Sequence, residues 1–262
     1  MELIKRRIMV CYQYRSLFQE LVIKDIKLKY RRSFLGYFWS ILNPLLTMLV
    51  LVIVFSNMFR FDIENFPVYL IIGQTLFAAM NEATTMAIWS ITGNASLIKK
   101  VYVPKYIFTM SRVSSSLINF LFSLVAMILV FLWCRVTLNW CFLWIPVVIF
   151  QVYLFSLGLG LFLAQAAVFF RDIQYIYSVI LTAWMYLTPI FYPIAQLPLW
   201  LQKGIAAYNP MYFYITQFRC VVMEQAMPDG RLIGVGFFAA ILALLLGLWS
   251  FERTQDKFIL YI

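Results

Sequence analysis

The sequence contains no histidine, and this absence limits the chemistry available to the chain. Among its 262 residues there are only 11 Asp and Glu, so the commonest general base and metal ligand is missing and acids are few. No glycine is followed by lysine, which excludes the phosphate-binding P-loop. The four cysteines form no Cys-x-x-Cys pair. We therefore expect no catalytic residue, no metal site and no bound cofactor in this chain.

Charged residues are scarce, and the few present are unevenly placed. They make up 12% of the chain, against 64% apolar residues, whereas soluble domains carry about 25% charged residues. This composition predicts an all-α integral membrane protein. The net charge of +10 does not indicate nucleic-acid binding, because nine of the 21 Lys and Arg precede residue 33. Such a bias is typical of the cytoplasmic segments of membrane proteins.

Six apolar runs predict six transmembrane helices within a single domain, residues 1–262. A helical span needs about 20 residues, and the predicted ranges are 41–59, 67–91, 107–133, 143–169, 173–190 and 232–251. Pro198, Gly204 and Asn209-Pro210 interrupt residues 197–227, which predicts a periplasmic or re-entrant pair of half-helices there. Six spans place both termini in the cytoplasm, while a seventh span within 197–227 would move the C-terminus outside.

Residues 1–40 form a basic and aromatic arm before the first span. On a helical wheel Val22, Ile26 and Tyr30 share one side, and Lys24 and Lys27 share the other. This pattern predicts an amphipathic helix that lies in the membrane interface, with its cations near the headgroups. The residues that we assign to this interfacial segment are Lys27, Tyr30, Arg31, Arg32, Phe34, Tyr37 and Trp39.

The loop between the second and third predicted spans has three lysines and no acid, which places it in the cytoplasm. Asn94 or Ser96 can cap a short helix that Pro104 ends. This helix is too short to cross the bilayer, so it either docks onto a protein partner or rests on the headgroups. The residues in question are Ser96, Leu97, Ile98, Lys99, Lys100, Val101, Tyr102 and Pro104.

Glu82 is the only acid that we place inside a predicted span. An intramembrane acid is a functional candidate by default. The alternative is a structural acid that is hydrogen-bonded to a neighbouring helix. The structural role is favoured, because no second acid is available to form a proton relay. In the fourth span, Gly158 and Gly160 predict close approach of a neighbouring helix.

Five sequence blocks, in order, carry a resemblance to a known family. They are Lys-x-Lys-Tyr-Arg-Arg-Ser-x-Leu-Gly-x-x-Trp-Ser-x-Leu-Asn-Pro (27–44), Asn-Ala-Ser-Leu-Ile-Lys-Lys-Val-Tyr-Val-Pro (94–104), Phe-Phe-Arg-Asp-Ile (169–173), Leu-Thr-Pro-Ile-Phe-Tyr-Pro (187–193) and Tyr-Asn-Pro-Met (208–211). The chain thereby resembles the membrane subunit of the ABC exporters that move lipid-linked polysaccharides: O-antigen, capsule and teichoic acid. The resemblance covers nearly the whole chain.

The resemblance implies a homodimer in the lipid of a bacterial cytoplasmic (inner) membrane, with a separate ATP-binding subunit that holds ATP and magnesium. It implies that residues 94–104 are a coupling helix seated in that subunit, and that the arm is an interfacial gate helix. It also implies a path for the polysaccharide between the two membrane subunits, lined by the first and fifth spans. The path residues assigned on this basis are Asn43, Thr47, Tyr177, Thr182, Trp184 and Thr188.

Two other functions fit the same architecture. One is a permease for drugs or other lipids, and the other is a membrane enzyme that acts on lipid-linked sugars. The aromatic residues, 19% of the chain, are open to two interpretations as well. Tyr and Trp stack on sugar rings, but they also form belts at the lipid interface, and for any single residue the belt is favoured.

Overall fold

A computed structural model describes residues 13–31, 35–58, 63–101 and 103–261. Within these ranges the chain is helical, with turns and irregular segments but no β-strand. The α-helices are α1 (Arg15–Tyr30), α2 (Trp39–Met58), α3 (Phe66–Ile88), α4 (Ala95–Ile98), α5 (Tyr106–Trp133), α6 (Ile145–Phe169), α7 (Ile173–Leu187), α8 (Leu199–Tyr208), α9 (Pro210–Val222) and α10 (Gly230–Thr254). Short 3-10 helices cover Gly36–Phe38, Thr92–Asn94, Trp140–Trp144, Ile194–Gln196 and Gln255–Leu260.

Among the described residues, four helical segments are long and apolar enough to cross a membrane: Gly36–Ser56, Tyr106–Trp133, Trp140–Phe169 and Gly230–Leu260. Helix α7 is apolar but has only 15 residues. Helix α3 has 23 residues, but Gln74, Asn81 and Glu82 reduce its apolar character. The structure confirms an all-helical membrane protein, while the count of six spans stays a prediction.

Helix α2 begins before the predicted first span and continues through Pro44. Proline has no N–H, so it leaves the carbonyl oxygen four residues earlier, that of Ser40, without a helical donor. The Ser123 hydroxyl on α5 donates to this oxygen at 3.2 Å. The carbonyl of Pro44 in turn accepts from the Gln74 amide on α3 at 3.2 Å. The proline therefore remains in the helix and helps to join α2 to its neighbours.

Helices α6 and α10 approach each other so closely that only glycine fits at their crossing. A Cβ atom on Gly158 would collide with the backbone of Ala243 and Leu244, and one on Gly247 would collide with the carbonyl of Gly158. On the other side of α6, a Cβ on Gly160 would lie 2.9 Å from the Cβ of Ala87. The predicted close approach at Gly158 and Gly160 is confirmed. Small residues allow such contacts between membrane helices.

The region predicted as half-helices consists of α8 and α9, which meet at Asn209. The Asn209 side-chain oxygen accepts from the N–H groups of Met211 and Tyr212 and caps α9. The same side chain contacts the end of α7, because its oxygen accepts from Trp184 Nε1 and its amide donates to the Thr188 hydroxyl, both at 2.9 Å. The structure contains two short helices in this region, and their role as a periplasmic or re-entrant pair of half-helices stays a prediction.

A buried arginine joins α9 to the irregular segment that follows α7. The Arg219 guanidinium donates four hydrogen bonds to the carbonyl oxygens of Tyr69, Pro189 and Ile190, at 2.8–3.3 Å. It also lies 3.3 Å from the centre of the Tyr69 ring. No carboxylate among the described residues pairs with it, so backbone carbonyls supply its partners. This arrangement fixes the turn in which two prolines end α7.

The loops gather at opposite ends of the helix bundle. At one end, the Asn139 amide donates to the Gln225 carbonyl at 3.3 Å, and Gln225 contacts Thr137. At the other end, a separate apolar cluster brings together α1, α4, α5, α6, α10 and the C-terminal segment, with Leu21, Ile98, Phe108, Phe251 and Phe258 among its buried members. The loop 135–140 thus lies beside residue 225 at one end, and the loop that the sequence predicts to be cytoplasmic lies at the other.

The crossing of α6 and α10 yields a stability prediction. We expect Gly247→Ala to lower the free energy of unfolding by about 1–3 kcal/mol, because the added methyl group cannot fit without moving a backbone. Gly234→Ala is the matched control on the same helix, since a Cβ there meets no atom within 4 Å, and we expect an unchanged or raised Tm. Thermal melting of the purified protein in detergent compares the two. Equal melting temperatures would contradict the close approach.

Candidate functional site

The segment predicted to couple to a partner is less helical than the sequence suggested. It comprises the 3-10 helix Thr92–Asn94 and the single turn α4, which ends at Ile98 rather than continuing toward Pro104. Asn94 does not cap α4, because its amide donates to the Ser90 carbonyl at 2.8 Å. Tyr102 lies outside the described residues.

The two faces of this segment differ. Ile98 is 7% exposed and Val103 is 8% exposed, and both lie in the apolar cluster with α1 and the C-terminal segment. The exposed residues are Ser96, Lys99, Lys100 and Val101. Leu97 is half-buried against the same cluster, so it contacts the chain itself. The surface available to a partner is therefore mainly basic and polar.

Lys105, at the end of this segment, is linked to the C-terminal segment. Its ammonium group donates to the Gln255 carbonyl and lies 5.6 Å from the centre of the Phe258 ring. Burial lowers the pKa of Lys105, while nearby Asp256 raises it. The contact ties residues 255–260 to the loop that the sequence predicts to be cytoplasmic.

The predicted interfacial helix is present as α1, but its apolar side packs against the protein. Leu21, Val22 and Tyr30 are buried, and Lys24 and Lys27 are exposed. Asp25, only 7% exposed, pairs with Arg112 of α5 at 3.0 Å. Burial raises the pKa of the Asp25 carboxyl, and the charges of Arg112 and Lys24 act in the opposite direction.

The remaining residues of the predicted interfacial segment lie beyond the end of α1. Arg31 is exposed, as are Tyr37 and Trp39 at 48% and 46%. The rings of Tyr30 and Tyr37 are 4.5 Å apart. Arg32 and Phe34 lie outside the described residues.

Glu82 is the centre of a polar network that joins α1, α2, α3 and α5. Its Oε1 accepts from Lys29 Nζ at 2.7 Å and from the Asn119 amide at 2.6 Å. The Asn119 oxygen accepts from the Tyr30 hydroxyl at 3.1 Å, and Tyr30 also contacts the Ser40 hydroxyl. Glu82 is thus hydrogen-bonded to neighbouring helices, which is the arrangement that sequence reasoning favoured for this acid. No signal in the sequence pointed to Lys29 of the arm as its charged partner.

This network borders an open cavity of about 460 Å³ between α1, α2, α3 and α5. Its polar lining includes Lys29, Glu82, Asn119, Gln74, Thr75, Ser40, Asn43 and Thr47. Two of these residues, Asn43 and Thr47, are exposed members of the predicted polysaccharide path. Residues of the interfacial segment, Glu82 and two residues of the predicted path therefore line the same cavity.

The other predicted path residues are divided between the interior and the surface. Tyr177 is buried and donates to the Thr84 hydroxyl at 2.7 Å. Thr188 is buried at the end of α7, and Trp184 is half-buried beside Asn209. Thr182 is exposed on α7, where its hydroxyl donates to the carbonyl of Ser178 at 2.9 Å. Their role in a path stays a prediction.

The chain is similar in sequence to known transport proteins over most of its length. The model of the ABC-2 type transporter family matches residues 16–223. The chain is 33% identical to the O-antigen export system permease protein RfbA of Myxococcus xanthus, over 94% of this chain and 95% of that protein. It is 30% identical to an O-antigen export system permease protein RfbA of Klebsiella pneumoniae, over 94% and 96% of the two chains. It is also 27% identical to the capsule polysaccharide export inner-membrane protein CtrC of Neisseria meningitidis, over 71% of each chain.

The Glu82 network yields a prediction about the anchoring of α1. Glu82→Gln keeps an acceptor for Asn119 but removes the charge opposite Lys29. Their side chains are 33% and 41% exposed, so we expect a loss of at most about 1 kcal/mol. Chymotrypsin, which cleaves after aromatic residues and so does not depend on Lys29 as a cleavage site, should then cleave α1 faster in the variant, while the Tm of the bundle changes little.

A double-mutant cycle provides the control. Adding Lys29→Met to Glu82→Gln should cause little further change in the cleavage rate, because the pair is already broken. If the two effects were additive, the ion pair would not anchor α1.

Proposed function

We infer that this chain, which belongs to the ABC-2 type transporter family, is the permease subunit of an ATP-driven exporter of lipid-linked polysaccharide, O-antigen or capsule. The observation that carries this function is the similarity over nearly the full length to permeases of O-antigen export systems. The family predicted from the five sequence blocks is confirmed. The relatives named for capsule and polysialic acid transport extend the same substrate class.

The ATP would be bound and hydrolysed by a separate subunit on the cytoplasmic side. The chain itself would supply the membrane passage and the contact that passes the ATPase movement to it. No group of three or more His, Cys, Asp or Glu side chains that could hold a metal ion is found in the described part of the chain. The similarity to transport permeases, rather than this absence, supports a transport role.

We propose six spans, α2, α3, α5, α6, α7 and α10, with both termini in the cytoplasm of a bacterial cell. Helix α1 would lie in the inner interface, and α8 and α9 would be periplasmic. Two observations support this topology: the segments rich in lysine meet at one end of the bundle, and the loops 135–140 and 223–229 meet at the other. The excess of Lys and Arg before residue 33 fits the cytoplasmic end.

The polysaccharide would pass between two copies of the chain. Helices α2 and α7 carry much of the exposed apolar surface, for example Leu46, Val50, Ile53, Val179 and Ile180. Only 11% of the span that contains α2 is buried within the subunit. A second subunit that packs beside these helices would leave their polar residues facing a shared path.

The coupling segment yields a prediction about the ATPase contact. Val101 is 49% exposed, so we expect Val101→Asp to leave the fold intact and to place an acid among the lysines that face the ATPase. Association with the ATP-binding subunit should weaken at least several-fold, as measured by co-purification and by the ATPase rate of the complex.

Two control variants separate a weakened ATPase contact from misfolding of this subunit and from the general effect of an acid on an exposed loop. Leu138→Asp places an acid on a residue that is 79% exposed at the opposite end, and it should leave association unchanged. Ile98→Asp should destabilise this subunit itself, because Ile98 is buried in the chain's own apolar cluster. Unchanged association for Val101→Asp would show that the partner docks elsewhere.

The function itself is tested in cells that lack this chain but retain glycan synthesis. We expect full-length lipid-linked polymer to collect at the inner face of the cytoplasmic membrane, measured by labelling intact and opened spheroplasts. Polymer that reaches the surface normally would exclude polysaccharide export. Loss of polymer synthesis would instead favour the enzyme that acts on lipid-linked sugars.

A further inference from the structure

We propose that the cavity between α1, α2, α3 and α5 is a binding site for a sugar residue of the exported polymer. This inference rests on the proposed function and identifies where a single subunit would hold its substrate. The cavity measures about 460 Å³, which lies within the roughly 300–1,000 Å³ range of small-ligand sites. Its lining comes from the helices of one subunit.

The first argument is that polar atoms at this cavity have no partner in the protein. Thr75 is 3% exposed, yet its hydroxyl makes no hydrogen bond within the described residues. The Gln74 amide oxygen is also buried and unpaired. Glu82 uses Oε1 for both Lys29 and Asn119, which leaves Oε2 available. Buried polar groups are nearly always hydrogen-bonded, so their common position indicates a ligand or water that completes them.

The second argument is the charge of the site. Lys29 and Glu82 are the charged residues of its lining, and they neutralise each other at 2.7 Å. An anion such as the phosphate of a lipid headgroup would have to compete with Glu82 for Lys29. A sugar hydroxyl can both donate and accept, so it can pair with Glu82 Oε2, the Gln74 oxygen, the Thr75 hydroxyl and the remaining Lys29 N–H groups without separating the ion pair.

The third argument is the position of the cavity. Trp39 lies at its edge with its ring 46% exposed, and such a ring can stack on the apolar face of a sugar. Asn43 and Thr47 line the cavity and are also exposed on α2, the helix proposed to face the second subunit. A sugar held here would lie between the interfacial helix α1 and the path along α2.

The decisive variant is Thr75→Val, which removes a hydroxyl that no group in the protein uses and keeps the shape of the side chain. If the hydroxyl serves the protein alone, its loss should leave export unchanged. If it binds a sugar, export at limiting polymer should fall roughly two- to tenfold, the value of one hydrogen bond. The Tm should be unchanged or higher in either case. The rate at which labelled polymer appears on the cell surface is the measurement.

Ser156→Ala is the matched control. The Ser156 hydroxyl is also buried, at 2% exposure, and unpaired, but it lies outside this cavity, beside Val152 and Tyr153. We expect this variant to export polymer at the normal rate. An equal fall in export for both variants would overturn the sugar site, because the effect would then follow from changing any buried hydroxyl.

A photocrosslinking residue supplies a measurement that does not depend on variant stability. Placed at Asn43, it should attach to glycan in exporting cells, whereas Leu132, a residue 65% exposed on α5, should yield no glycan adduct. Adducts with phospholipid alone at Asn43, or normal export by Thr75→Val, would overturn the sugar site but not polysaccharide export. Normal surface polymer in cells that lack the chain would overturn both.

Discussion

Polar groups inside apolar helices need partners within the protein, and this requirement holds the helix bundle together. Lipid offers no hydrogen bonds, so each unpaired group is costly there. The Arg219 guanidinium shows the consequence, because it draws the carbonyls of Tyr69, Pro189 and Ile190 around itself. Pro189 and Pro193 lack N–H groups, so the backbone after α7 relies on side-chain donors, namely Arg219 and the Tyr69 hydroxyl. One side chain thereby fixes α3, α9 and the end of α7 relative to each other.

The end of the bundle that we propose to be cytoplasmic is held together differently, because apolar contact dominates there. Ile98 of the coupling segment, Leu21 of α1 and Phe258 of the C-terminal segment belong to one cluster. A force applied to α4 by an ATPase would therefore reach α1 through packed side chains rather than through a flexible linker. Helix α1 is in turn attached to α5 by the Asp25–Arg112 pair and to α3 by the Lys29–Glu82 pair. Movement of the coupling segment is thus linked mechanically to the helix that borders the polar cavity.

Much of the fold could be predicted from the sequence, because helix ends and close contacts depend on single residue types. Helix α7 ends at Leu187, before Pro189, close to the predicted end of the fifth span, and Gly158 allows a neighbouring helix to approach, as expected. The coupling segment was harder to predict. Ile98 faces the interior of the chain because α1 and the C-terminal segment pack against it, and the helical pattern of residues 94–104 does not contain this information. The partner of Glu82 was also missed, since Lys29 lies 53 residues away in sequence. Sequence periodicity describes one helix at a time, and these contacts join several.

The exposed faces of α2 and α7 differ in what they require from their surroundings. Exposed apolar residues such as Val50 and Val179 are satisfied by lipid tails, so they do not by themselves indicate a second subunit. On α7, Ser178 and Thr182 donate to carbonyls of their own helix, and this arrangement is tolerated in lipid. Asn43 on α2 is different, because its exposed amide makes no hydrogen bond within the described residues. An amide in a lipid-facing position needs a hydrogen-bond partner, so Asn43 supports the proposal that α2 faces the transport path.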